Sequence, residues 1–134
     1  MSKSTGVVAL GVFVVGLVFD YLLYWLVLGN ALSQDAVLRT VMMGPWPKLI
    51  IGELIFSYAA AWIYARGVNA TAPLGQGIRF GLALSFLFAV GGGLQIAPMI
   101  GASEFIIIGA IVGNAVKVLV QGITAALIAG PGRA

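Results

Sequence analysis

Four stretches of this chain, residues of about 6–29, 49–65, 78–100 and 105–129, run almost free of charge over lengths matched to a lipid bilayer. A hydrocarbon core of about 30 Å takes roughly 17–25 residues of helix. Within lipid, each backbone N–H and C=O must be satisfied inside its own helix or in a closed barrel. The short alternating strands of a barrel are missing, so the stretches read as transmembrane helices. Charged residues make up 8% of the 134, against roughly 25% in soluble domains. The expected fold is all-α: a polytopic membrane protein with four transmembrane helices in one antiparallel bundle, a single domain over residues 1–134.

The first stretch imitates a secretory signal, with Lys3 ahead of it and Gly29-Asn30-Ala31 behind. A signal's apolar core runs about 7–15 residues, and this stretch is far longer, so it reads as an ordinary span. Lys3, Arg66, Arg79 and Arg133 fall on one side of the implied membrane, and Arg39, Lys48, Asp35 and Glu104 on the other. The positive-inside rule then places both termini in the cytoplasm. In size and topology the chain has the proportions of small four-span bacterial inner-membrane proteins, and that membrane is the expected location.

The connections differ in character. Residues 30–48 form the long one, in which Ser33 can cap a short helix that gathers Val37, Leu38, Val41 and Met42 opposite Asp35 and Arg39. This pattern describes an interfacial helix between the first and second spans, although a polar loop with a few apolar residues fits as well. Residues 68–77, with Pro73, Gly75 and Gly77, read as a plain turn, while Pro98 and Gly101 close a tight hairpin between the third and fourth spans.

Three charges lie well inside the apolar stretches: Asp20 in the first, Glu53 in the second and Lys117 near the middle of the fourth. A lysine at the centre of a membrane needs a partner or a wet cavity, and two carboxylates are available. Helix periodicity says which way Lys117 faces. Gly109, Gly113, Lys117, Gln121, Ala125 and Ala129 recur every four residues and form one stripe, and small residues at that spacing let helices approach closely in lipid. Matching stripes run through Gly16, Asp20 and Tyr24, through Glu53, Ser57, Ala61 and Tyr64, and through Gly77, Gly81, Ser85, Gly92 and Gln95. Gly77, Gly81, Gly109 and Gly113 are the expected packing contacts.

Counting from the outer helix ends at about 1.5 Å per residue puts Glu53 and Gln95 roughly 7 Å deep, Asp20 13 Å, Asn114 15 Å and Lys117 19 Å. The expected site is a polar pocket of Asp20, Glu53, Gln95, Asn114 and Lys117, open to the extracytoplasmic side. Gly91-Gly92-Gly93 lies beside it, where the helix either unwinds toward a ligand or receives a neighbour on bare backbone.

Absences narrow the function. There is no cysteine or histidine, hence no disulfide, Cys/His zinc site, iron-sulfur cluster or His-ligated haem from this chain, and no metal site or cofactor is expected. The basic residues are scattered, which argues against nucleic acid. No nucleophile-base pair, H-E-x-x-H or phosphate loop is present, so an enzyme is not expected. The expected partners are the lipid bilayer and either further copies of the chain or a larger membrane complex. Two readings stand: a small carrier or channel component handling protons, ions or a small polar ligand, or an accessory subunit in which Lys117 and Glu53 or Asp20 are a structural ion pair.

Overall fold

The computed structural model describes residues 5–34, 46–67 and 72–130, and all regular structure among them is helical. Four helices are long and apolar enough to cross a membrane: Thr5–Val27, Pro47–Gly67, Pro73–Ile100 and Glu104–Ala129, the first to fourth spans. This is the signature of an integral membrane protein. Two spans change pitch along their length. The first passes from α-helix over Thr5–Tyr21 into a wide π-helical stretch, Leu22–Val27, and a short helix Gly29–Gln34 follows. The third runs as α-helix over Pro73–Leu84, π-helix over Ser85–Gly92 and α-helix again over Gly93–Ile100.

The helix ends follow local chemistry. The third span starts inside the segment expected to be a turn, because Pro73 occupies the first helical turn, where proline's missing N–H costs nothing. Gln76 Nε2 then donates to Gly67 O at 3.0 Å and ties the second and third spans together. Pro98 lies within its helix, and Gly101 makes the hairpin at a left-handed φ of 67°. Ser103 caps the fourth span by accepting from Ile106 N, with Glu104 in the first turn where the helix dipole favours an acid. Ser33 lies within the helix Gly29–Gln34, and the later helix it was expected to cap falls outside the described residues. Val37, Leu38, Val41 and Met42, the face of the expected interfacial helix, lie outside the described residues.

The fourth span is packed on both sides, against the first and against the third, and the first in turn carries the second. Along its contact with the first span, Gly109 takes Leu28, Gly113 takes Leu23, Gln121 meets Gly16 and Ile128 meets Gly11, so numbers rise on one helix as they fall on the other. The third span makes a closer, backbone contact. A Cβ on Gly77 would stand 3.0 Å from Ile123 Cα, and one on Gly81 2.6 Å from Leu119 O. Gly122 faces Gly81 across this contact. Ser85 Oγ adds a hydrogen bond to Ala115 O at 2.7 Å, a polar tie between these helices.

Two apolar layers bracket the middle of the bundle. Leu23, Leu28 and Ile106 form one. Val8, Ala9, Val12, Ala61, Tyr64, Ala125 and Ala126 form the other, at the end that holds Thr5 and Ala129 and is called the terminal end below. The three interior charged side chains, Asp20, Glu53 and Lys117, lie between them.

Candidate functional site

Lys117 sits halfway along a helix of 26 residues, yet its ammonium reaches neither end. Nζ donates to Asp20 Oδ1 and to Glu53 Oε2, both at 3.0 Å. The three side chains are 11%, 6% and 6% exposed, so these are interior ion pairs. Asp20 and Lys117 stand at one level of the bundle, between the contacts of Gly16 with Gln121 and of Leu23 with Gly113.

Gln121, one turn beyond Lys117 on the same face, completes the arrangement. Its Nε2 donates to Glu53 Oε1 and, at 3.1 Å, to Val12 O. Gly16 is what makes room: a Cβ there would overlap both the Glu53 carboxylate and the Gln121 amide. The cluster thus joins the first, second and fourth spans through two carboxylates and one ammonium. With all three ionised, one negative charge is in excess, an imbalance that a low-dielectric interior tolerates only with a further cation, proton or water nearby.

The cluster is reached through a cleft of about 230 Å³ between the second, third and fourth spans, lined by Glu53, Phe56, Phe88, Ala89, Asn114, Lys117 and Val118. That is room for several waters. Phe56 and Phe88 meet edge to face across it, with ring centroids 5.5 Å apart. Phe88 and Ala89 belong to the π-helical stretch of the third span, whose wider turn faces the charged site. Such stretches recur at functional sites. A larger groove of about 630 Å³ beside Ala9, Leu10, Leu54 and Ile55 has no charged lining and faces outward.

Of the five residues expected in the pocket, Asp20, Glu53 and Lys117 meet directly. Asn114 is on the cleft wall beside Lys117, but its Nδ2 is committed to Tyr24 OH at 3.0 Å and Ala110 O at 2.8 Å. Tyr24, on the same stripe as Gly16 and Asp20, is therefore a partner of the site. Gln95 is a correction: it is exposed and off the cleft. The inward stripe of the third span runs Gly77, Gly81, Ser85, Ala89 and Gly93, because a π turn carries more residues per turn and keeps four-residue spacing aligned. Two residues past Gly93, Gln95 points away.

Glu53 is also deeper than the end count placed it. It is level with Gly16, about 16 Å from the end of the first span at Val27, though only about 9 Å from the start of its own helix at Pro47. The helix ends at Val27 and Pro47 are staggered, and counting from each end assumed them flush. Gly91 to Gly93 stay helical, with Gly93 packed on Ile111. Gly77, Gly81, Gly109 and Gly113 each lie at a helix contact. Sequence reasoning missed Gln121 and Gly16 as members of the site, although each is one turn from a charged residue on its own stripe. It also missed Gly122, which lies one residue off the stripe on the face turned to the third span.

Among the described residues no group of three or more His, Cys, Asp or Glu comes together as a metal-binding set would. The chain matches no protein-family profile, and comparisons with curated proteins and with solved structures give no match.

Proposed function

We propose that this chain is a small non-enzymatic carrier or channel component, crossing the bacterial inner membrane four times as an antiparallel bundle with both termini in the cytoplasm. Asp20, Glu53 and Lys117 handle protons, ions or a small polar ligand that arrives through the cleft from the extracytoplasmic side. One observation carries this reading: Glu53 and Lys117, two of the three interior charges, also line an open cleft. A purely structural pair gains nothing from such access, whereas intramembrane ionisable groups on a cavity mark ion and proton pathways. Four short helices enclose little volume, so assembly with further copies or with other membrane proteins belongs to the proposal. The test is reconstitution of the full chain in liposomes, with proton, sodium and potassium fluxes measured under an imposed gradient. Wild-type protein passes at least one of them, and folded Glu53→Gln and Lys117→Met variants pass it at least tenfold more slowly. Equal rates in wild type and both variants would sink the reading.

The accessory-subunit alternative has an observation of its own. The cluster ties three spans at one level through four hydrogen bonds, those of Lys117 to both acids and of Gln121 to Glu53 and Val12, which is what a brace requires. On that reading the same variants change assembly, seen as loss of a co-purifying partner in mild detergent, and no flux is found in any of them.

A further inference from the structure

Among the described residues three buried polar atoms have no hydrogen-bond partner: Ser57 Oγ, Gln121 Oε1 and Tyr64 OH. Leaving such atoms unbonded in an interior is costly, and a bound water is the usual remedy. Two of them are neighbours of the same carboxylate. Ser57 lies one turn past Glu53 on the same helix face, and Gln121 is bonded through Nε2 to Glu53 Oε1. Both partners of Nε2 are acceptors, Glu53 Oε1 and Val12 O, which fixes the amide's orientation and leaves Oε1 as an acceptor in need of a donor. Ser57 is 0% and Gln121 1% exposed. The charged groups around this point are Asp20 from the first span, Glu53 from the second and Lys117 from the fourth. The third span adds none, and its Ser85 hydroxyl is spent on Ala115 O.

Resting on the carrier reading above, we propose that Ser57 Oγ and Gln121 Oε1 hold a water against Glu53, that this water relays protons, and that the proton is the transported species. The relay balances at each atom. A proton arriving through the cleft converts Glu53 to its acid; Glu53 passes it to the water's lone pair as the water passes one of its own to Ser57 Oγ. Ser57 releases its original hydroxyl proton to a further water on the terminal side. Glu53 is again a carboxylate, water and serine are unchanged, and one proton has moved inward. Gln121 Oε1 accepts only, so it orients the water without carrying charge.

Past Ser57 the route meets the apolar layer. Val12, Ala61 and Ala125 are each at most 1% exposed, and Tyr64, the third unpartnered group, stands about 10 Å further along the second span. That layer is the barrier to flux. Water crosses it only on a transient opening, and a hydroxyl inserted there shortens the gap.

The experiment uses the full chain in liposomes with a trapped pH-sensitive dye and a potassium-valinomycin potential. Wild type is expected to move protons well above empty vesicles, and Ser57→Ala to slow them at least tenfold. Ser57→Gly, which frees space for about one water, recovers most of the rate. Ala61→Ser, one turn past Ser57 in the barrier, raises the rate severalfold, a gain that misfolding cannot produce. If wild type passes sodium, potassium or both but no protons, the carrier reading stands and the proton relay is overturned. Absence of any flux overturns both. Ser57→Ala as fast as wild type, or Ala61→Ser no faster, overturns the relay alone.

Discussion

Removing the Lys117 ammonium should be far more damaging than removing all three charges of the cluster. Lys117→Met keeps the volume of the stem, so the cavity contribution is small, but it strands Asp20 and Glu53, whose side chains are each 6% exposed. Taking one partner from a buried pair costs about 3–5 kcal/mol, because the remaining charge has lost its counterpart but not its desolvation. Two carboxylates lose the same partner here, so the upper part of that range applies. The triple variant Asp20→Asn, Glu53→Gln, Lys117→Met replaces charges by neutral groups of similar shape, and such swaps range from neutral to stabilising by about 1–4 kcal/mol. The assay is reversible unfolding in mixed micelles followed by fluorescence of the three tryptophans. The expected order of stability is Lys117→Met well below wild type, with the triple variant near or above wild type. A Lys117→Met protein within about 0.5 kcal/mol of wild type, the scatter of an ordinary surface change, would show that the ammonium does not hold these carboxylates. A triple variant as weak as the single one would refute the charge argument and leave packing as the cause.

Three further outcomes test the packing around the cluster. Gly16→Ala should destabilise by about 1–3 kcal/mol by overpacking against Glu53 and Gln121, whereas Gly52→Ala, with nothing within 4 Å of its new Cβ, should stabilise by about 0.5–1 kcal/mol; the same unfolding assay separates them. Gly113→Ala drives a methyl into Leu23 and Leu23→Ala empties the same space, so a double-mutant cycle should show the pair recovering about 0.5–3 kcal/mol relative to additivity. Gln95→Leu should leave stability within about 0.5 kcal/mol and flux unchanged, and a loss of flux would return Gln95 to the site.

The sequence made the charged layer legible because charge is scarce in lipid and periodicity is strict. Lys117 could face only the stripe of Gly109, Gly113 and Gln121, and only Asp20 and Glu53 were available to meet it. What it did not disclose depends on relations between helices. The stagger that brings Glu53 level with Gly16 is set by how the second span rests on the first, and no periodicity within one helix encodes it. The outward turn of Gln95 depends on a change of pitch over Ser85–Gly92, which a fixed helical period cannot anticipate. Pro73 and its glycine neighbours carry turn chemistry, and proline in a first helical turn uses the same residues. Phe56 and Phe88 lie off the polar and small-residue stripes, so nothing in the sequence marks them as walls of the cleft beside Glu53 and Lys117.

The most direct test asks whether water reaches the charged cluster. The chain has no cysteine, so a single Ala89→Cys substitution on the cleft wall can be treated in intact cells with a membrane-impermeant, hydrophilic thiol reagent, with Val116→Cys on the outward face of the fourth span as control. A wet cleft opening to the extracytoplasmic side predicts modification of Ala89→Cys in cells and of Val116→Cys only after denaturation. If Ala89→Cys stays unmodified until the protein is unfolded, the cluster is sealed and the account of an accessible interior site is contradicted.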